Sequence, residues 1–315
     1  MDIHEIKDVF NKGLDIISNP NDYKNIINMR NNLYRLDTIN RILVYVQNKD
    51  AFDIKSRTEW SIQCRDIMKR QKPIYLIIPK YKTEYIDCES GKELINSDLS
   101  IDELNKALEY GVVVKKENIS NTSIEAFYDI RQTKSLNGNK YSINKPILST
   151  KKVLELLVNI TNCSVEESEL DYYSSSENKL YISRQSYSNV VNTVSKIIKD
   201  YYIKRLSDNN IIDTSEFSEY DNELLDSTII YSIKTLLCVN NDNNSFDIVR
   251  NTSKKRLLDI LNINSIIIID IAEQLDFNNT ESNNDLIHNN LIIKKAEVLL
   301  NIMEANNINK IMKGA

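Results

Sequence analysis

The strongest chemical signal in the sequence is a concentration of cations around a single indole. Residues 41–82 hold ten Lys and Arg and only four Asp and Glu, although the whole chain carries a formal net charge of -5. Trp60 is the only tryptophan and lies among these cations. Cations neutralise phosphates and flat rings stack on bases, so this combination is typical of a surface that binds single-stranded nucleic acid. The basic residues are Arg41, Lys49, Lys55, Arg57, Arg65, Lys69, Arg70, Lys72, Lys80 and Lys82.

Amide and phenol side chains extend this pattern. Asn40 and Gln47 bracket an apolar helical stretch and have both donors and acceptors for base edges or sugars. In the alternative interpretation, Trp60 fills the core and the lysines only keep the surface hydrated. Composition alone does not separate the two. The further stacking candidates are Tyr45, Tyr75, Tyr81 and Tyr85.

The scarce residue types exclude several kinds of chemistry. The five glycines are too dispersed for a phosphate-binding loop or a nucleophile elbow. The only histidines, His4 and His288, cannot supply two imidazoles from one helix. The N-terminus lacks an apolar signal core and the apolar runs are short, so we expect a soluble cytoplasmic protein with no membrane partner. The dispersed cysteines predict buried free thiols in a reducing compartment: Cys64, Cys88, Cys163 and Cys238.

The apolar spacing predicts an α+β protein in two parts. The first part mixes elements, with helices at 3–17, 39–47, 58–67 and 101–108, strands at 74–79, 112–115 and 123–130, and a hairpin at 85–95. A polar linker at 132–149 follows. The second part is mainly helical, with a small hairpin at 170–183 and helices at 153–160, 187–206, 217–239, 246–261, 265–275 and 286–305. We therefore predict domains at 1–135 and 150–315.

Two stretches of the first part resemble a known family. One runs from Asn40 through Gln47, Ala51 and Trp60 to the basic turn at 65–72 and the strand that ends at Pro79; the other is the box Ala126–Thr133. Their order is similar to the N-terminal single-stranded-DNA-binding domain of ArdC/LtrC-type antirestriction proteins. The resemblance implies nucleic-acid contact through this part. Asp129 and Gln132 are predicted to be structural instead, because the box ends a strand and can tie it to the linker. Gln71 departs from the pattern, because the family has Gly in the basic turn.

The second part resembles the zincin-like metallopeptidase domain that follows in the same family. The hairpin at 170–183 and the sequence Glu223-Leu-Leu-Asp226 match its tyrosine hairpin and third-ligand helix. The helix that should carry H-E-x-x-H has no histidine, and its Lys196 and Lys199 would repel a divalent ion. The resemblance therefore implies a pseudo-peptidase without metal, cofactor or catalysis.

Three functional hypotheses follow. The first is an antirestriction-like accessory protein of a mobile element or phage that binds single-stranded DNA. The second is a protein-interaction module, in which the acidic helical second part contacts a host nuclease or an element-encoded protein. The third is a metalloenzyme with relocated ligands. Under the first, the nucleic-acid-binding residues are Asn40, Arg41, Gln47, Lys55, Arg57, Trp60, Arg65, Lys69, Arg70 and Lys72.

Overall fold

The structure is a computed structural model that describes residues 1–29, 33, 35–94, 100–138, 160–161, 164–170, 172–174, 176–183, 190–236 and 245–277. The fold is α+β, as the sequence predicts. The chain forms two compact units. The first contains the described residues of Met1–Leu76 and Ala126–Leu299, and the second contains those of Ile77–Glu125.

Side-chain caps define the beginnings of the helices near the N-terminus. Asp2 accepts from two backbone N–H groups to start the first helix, Asn19 caps the second immediately before Pro20, and Asp37 caps the third. The helices are α1 (Ile3–Ile16), α2 (Pro20–Asn28), α3 (Thr38–Gln47), α4 (Arg57–Ile62), α5 (Ile101–Glu109), α6 (Val190–Asp208), α7 (Glu219–Leu236) and α8 (Lys254–Phe277), with 3₁₀ turns at Ile130–Gln132 and Asp247–Asn251.

Within the described residues, the strands form three small sheets. A four-stranded sheet has the order β1-β5-β3-β4, a two-stranded sheet pairs β2 with β6, and a three-stranded sheet has the order β7-β9-β8. The described strands are β1 (Ile54–Ser56), β2 (Arg65–Ile67), β3 (Ile74–Asp87), β4 (Glu93–Leu94), β5 (Val113–Asp129), β6 (Thr133–Ser135), β7 (Ser164–Ser168), β8 (Tyr172–Ser174) and β9 (Lys179–Ser183). The hairpin predicted at 170–183 is the antiparallel pair β8–β9, and β7 adds a parallel edge.

The N-terminal and C-terminal helices share one core in the first unit. The Tyr23 hydroxyl bonds to Thr228 on α7 at 2.9 Å, and the Thr38 hydroxyl bonds to Ser265 on α8 at 2.6 Å. Side chains such as Ile42 and Ile267 are completely buried. The predicted boundary between 135 and 150 therefore does not coincide with the division into compact units.

Several predicted elements differ from the structure. The helix predicted at 58–67 ends at Ile62, and Arg65–Ile67 forms β2 instead. The two closing strands are one strand, β5, and the helices predicted at 246–261 and 265–275 are a 3₁₀ turn followed by the continuous α8. The predicted linker begins with β6. The helix at 286–305 lies outside the described residues, as do most of the helix at 153–160 and the linker beyond residue 138.

The thiol prediction is wrong for both cysteines that the structure describes. Cys64 and Cys88 are exposed rather than buried. Cys64 lies in a tight turn after α4 and adopts a φ of 55°, so the turn geometry, rather than the apolar character of sulfur, sets its position. Cys163 and Cys238 lie outside the described residues.

Gly13 permits the close approach of α1 to α3, and this contact leads to a stability prediction. A Cβ at Gly13 would lie 2.2 Å from Cγ2 of Ile42, a fully buried β-branched side chain. A contact this short puts the overpacking cost in the upper part of the usual range, about 2–3 kcal/mol, and the better helix propensity of alanine offsets roughly 1 kcal/mol of it. We expect Gly13→Ala to lower the free energy of unfolding by about 1–2 kcal/mol in urea titrations.

A double-mutant cycle provides the control for this prediction. In an Ile42→Ala background, the methyl group of Gly13→Ala enters vacated space, so its penalty should disappear. An equal penalty in both backgrounds would show that the contact with Ile42 is not its cause.

Candidate nucleic-acid interface

One small module of the first unit carries most of the predicted basic zone. It consists of residues 53–72 and 126–135, and we call it the basic module. Antiparallel pairing of β1 with the end of β5 sets Lys55 opposite Tyr128, and pairing of β2 with β6 sets Asp66 opposite Lys134. Between β1 and β2, α4 begins with a capping box in which Ser56 and Glu59 bond to each other's backbone N–H groups. Long-range pairing therefore brings the two segments together.

Trp60 forms the core of the basic module. Its side chain has 0% exposure and packs with Ile67, Ile130 and the partly buried Tyr128. The indole N–H donates a 2.8 Å hydrogen bond to the Tyr128 carbonyl. The interpretation of Trp60 as a stacking surface is therefore wrong: a ring with no exposed face cannot receive a base, and the alternative core interpretation describes its position.

Two cations cover the buried indole. The Lys55 ammonium lies 4.5 Å from the Trp60 ring centroid, and the Arg65 guanidinium lies 6.0 Å from it. Lys55 also forms an ion pair with Asp53, and Arg65 Nε donates to the Thr133 hydroxyl at 2.7 Å. These contacts hold both cations in place, so less side-chain entropy is lost when a phosphate binds.

Asp129 joins the two segments of the basic module. Its carboxylate has no exposed surface and accepts from the backbone N–H groups of Phe52 at 2.5 Å and Asp53 at 3.2 Å. The other oxygen accepts from the backbone N–H and Nε of Arg131 at 3.0 and 2.8 Å. The prediction of a structural role for Asp129 is confirmed, because all these bonds fix the chain near β1 and the 3₁₀ turn.

Gln132 holds the basic turn that follows β2. Its amide oxygen accepts from the Asp129 backbone N–H at 2.8 Å, and its Nε2 donates to the Lys72 carbonyl at 2.7 Å. The structural role predicted for Gln132 is confirmed as well. Within the turn, the positive φ of 64° falls at Arg70 and not at Gln71. The left-handed residue of the turn is therefore the charged Arg70.

The cations of the basic module outnumber its acids, and several of those acids already have internal partners. The module holds eight Lys and Arg against four Asp and Glu. Asp53 and Asp129 are buried, and the Glu59 carboxylate accepts from the Ser56 backbone N–H. Apart from Arg131, which pairs with Asp129, the exposed or half-buried cations of the basic module are Lys55, Arg57, Arg65, Lys69, Arg70, Lys72 and Lys134. We call these seven residues the basic surface.

Two predicted contact residues lie in the core instead. Asn40 is 4% exposed, and its side-chain amide donates to Asp37 at 2.9 Å. Arg41 is fully buried and donates through Nη2 to the Leu36 carbonyl and the Ser265 hydroxyl. Burial lowers the pKa of Arg41 to about 10, against the opposing attraction of Asp37. Neither side chain can contact a bound strand, so both predictions are wrong.

Gln47 is also a structural residue. Its Nε2 donates to the Leu43 and Tyr75 carbonyls at 3.0 and 2.9 Å, and its oxygen accepts from the Tyr75 backbone N–H at 2.9 Å. Its amide is therefore used in tying α3 to the start of β3, contrary to the predicted role in base recognition.

The remaining predicted tyrosines and lysines lie outside the basic module. Tyr45 is 2% exposed, and Tyr75 and Tyr85 are half-buried. Lys49 forms an ion pair with Asp22 at 3.3 Å and is not part of the basic module. Lys80 and Lys82 belong to the second unit. The side chain of Tyr81 lies outside the described residues.

Sequence reasoning missed two residues of the basic module. Tyr128 is half-buried against Trp60, with the exposed Arg57 guanidinium 5.8 Å from its ring centroid. Lys134 is exposed on β6. Tyr128 is one of two adjacent aromatic residues in the box at 126–133, and its position directly before the structural Asp129 is the signal that could have identified it.

In the second part of the chain, Lys199 binds Asp226, a carboxylate of the segment that resembles the third-ligand helix of zincins. Lys199 on α6 donates to Asp226 on α7 at 3.0 Å and forms an ion pair with Asp200 at 2.6 Å. Partial burial opposes the charged form, but the hydrogen bonds to Asp200 and Asp226 outweigh it and raise the pKa of Lys199. Glu223 is exposed to solvent. Asp226 is thus bound to an ammonium group.

The described residues contain no group of three or more His, Cys, Asp or Glu side chains arranged to hold a metal ion. None of the helices in that part of the chain has both the length and the apolar content needed to cross a membrane.

These observations define an α+β protein with a basic β-module, and two solved structures are similar to it. The metal-free structure of the antirestriction ArdC protein from plasmid R388 is similar to this chain with 11% identity and a TM-score of 0.41, covering 76% of this chain and 85% of the other. The Mn(II)-bound structure gives 10% identity, a TM-score of 0.40, and 78% and 85% coverage. No protein-family model and no curated protein matches the chain.

Proposed function

We propose that the chain is an antirestriction-like accessory protein that binds single-stranded DNA through the basic surface. The observation that carries this proposal is the assembly of seven cations in one folded module whose buried acids are internally bonded. Binding of single strands without sequence preference needs cations that track phosphates and accessible rings. The antirestriction role rests on the resemblance of residues 40–133 to the ArdC/LtrC-type domain.

The second part of the chain is proposed to be a non-catalytic scaffold. Peptidase chemistry of the zincin type needs two imidazoles and a glutamate on one helix, and α6 contains no histidine. The ion pair of Lys199 with Asp226 supports this proposal, because it neutralises the carboxylate that a metal would use. The acidic helical part remains the surface that we propose for a host or element-encoded protein partner.

The proposed binding is tested by removing three exposed cations of the basic turn. The combined variant Lys69→Ala, Arg70→Gly and Lys72→Ala should weaken binding of a fluorescent single-stranded oligonucleotide by roughly tenfold to a hundredfold at low salt. Glycine suits position 70 because of its positive φ. Fluorescence anisotropy gives the dissociation constant, and circular dichroism checks the fold.

A matched variant removes three exposed cations from helices of the same unit. Lys12→Ala, Lys204→Ala and Lys255→Ala change the net charge by the same amount, on α1, α6 and α8. Their combined effect on affinity should be less than about threefold, since they lie outside the basic module. Equal losses in the two variants would mean that net charge alone drives binding, and would contradict the proposed surface.

A further inference from the structure

We propose that Tyr128 and Arg57 form the base-stacking position of the basic surface, the role that the sequence suggests for Trp60. This inference rests on the proposed function and adds to it the part of the ligand that is recognised. It implies that the bound polymer is recognised by its bases as well as by its phosphates, so a single strand with accessible bases is favoured over a polyanion without bases.

The strand register places the phenol ring beside cations. Tyr128 lies opposite Lys55 in the antiparallel pair β1–β5, and side chains of directly opposed residues lie on the same face of a sheet. Arg57 follows β1 by one residue, is exposed, and has its guanidinium 5.8 Å from the ring centroid. The Tyr128 ring therefore has two nearby cations, Lys55 and Arg57, that can contact neighbouring phosphates.

The packing holds the Tyr128 ring while leaving part of it accessible. One side packs against the cluster of Trp60, Ile67 and Ile130, and the Tyr128 carbonyl accepts the indole hydrogen bond. The ring is half-buried, whereas Trp60 has no exposure. Because this packing already restricts the ring, little side-chain entropy is lost when a base stacks on it.

Arg57 can give access to the ring at small cost. Its guanidinium lies close to the outer limit of about 6 Å for a cation–π contact, and its side chain is exposed. A base can therefore replace the Arg57 guanidinium on the Tyr128 ring. The displaced planar guanidinium can then stack on the other face of that base or bind the phosphate of the same nucleotide.

The test compares two polyanions and three single variants of the full chain. The probes are a single-stranded oligonucleotide and an abasic strand with the same number of phosphates. Tyr128→Leu should weaken oligonucleotide binding about tenfold and change abasic-strand binding by less than about twofold, while Tyr128→Phe should bind both as the unmodified chain does. Arg57→Lys keeps the charge, removes the planar group, and should show the same selective loss, so the proposal stays testable if Tyr128→Leu fails to fold.

The outcomes separate this inference from the proposed function. Equal losses for both probes, or no loss for either, in Tyr128→Leu and Arg57→Lys would overturn the stacking position and leave electrostatic binding in place. Failure of the unmodified chain to bind the oligonucleotide at low salt would overturn the proposed function, and the stacking position with it. A selective loss confined to the oligonucleotide supports both.

Discussion

Replacing Trp60 by alanine is expected to lower the free energy of unfolding by about 3–5 kcal/mol. The indole has no exposed surface, packs in the core of the basic module, and donates a 2.8 Å hydrogen bond to the Tyr128 carbonyl. Its removal leaves a large cavity and deletes this hydrogen bond. Urea unfolding followed by circular dichroism measures the loss, because Trp60 is the only tryptophan and its fluorescence disappears with it.

Trp60→Phe is the control that separates packing from surface recognition. Phenylalanine keeps most of the buried area but loses the N–H donor, so its cost should lie well below that of alanine. A Trp60→Ala protein with unchanged stability and reduced oligonucleotide binding would contradict the core assignment and restore the stacking interpretation.

The second large effect is expected at Asp129. Asp129→Ala removes a buried carboxylate that accepts from three backbone N–H groups and the Arg131 side chain, and should cost about 3–5 kcal/mol of unfolding free energy. Because these bonds hold the chain near β1 and the 3₁₀ turn, the loss should appear as a shift of the urea midpoint measured by Trp60 fluorescence.

Two substitutions show which bonds of Asp129 are responsible. Asp129→Asn keeps one acceptor oxygen and should cost less than the alanine variant. Arg131 is exposed, so Arg131→Gln should cost below about 1 kcal/mol although it removes the ion pair. A loss in Arg131→Gln as large as in Asp129→Ala would show that the ion pair, and not the backbone bonds, provides the stability.

The sequence predicts elements well where local signals are complete. The start of α1 follows from the Asp2 cap and the helical apolar spacing, and β3 follows from the β-branched run after Pro73. The continuity of α8 was missed because Asn264 and Ser265 suggest a break. In the fold, Asn264 donates to Ser232 on α7 and Ser265 donates to the Leu261 carbonyl, so the helices themselves accommodate these polar groups.

The site was only partly predictable, because burial depends on contacts distant in sequence. A buried Trp60 and an exposed one have the same local sequence, and only the approach of residues 126–135 closes the core over the ring. Likewise, Arg41 is buried because α8 brings Ser265 against it, a contact across 224 residues. The side chains of Lys69 and Lys72 in the basic turn are exposed, although Gln132 binds the Lys72 carbonyl from 60 residues away.

The salt dependence of oligonucleotide affinity tests the basic surface most directly. Each phosphate contact of a single strand contributes about 0.7 to the slope of log affinity against log salt concentration. The variant Lys69→Ala, Arg70→Gly and Lys72→Ala should therefore show a slope shallower by about 2, while the matched variant at Lys12, Lys204 and Lys255 keeps the slope of the unmodified chain. Identical slopes for all three proteins would contradict the assignment of phosphate binding to this surface.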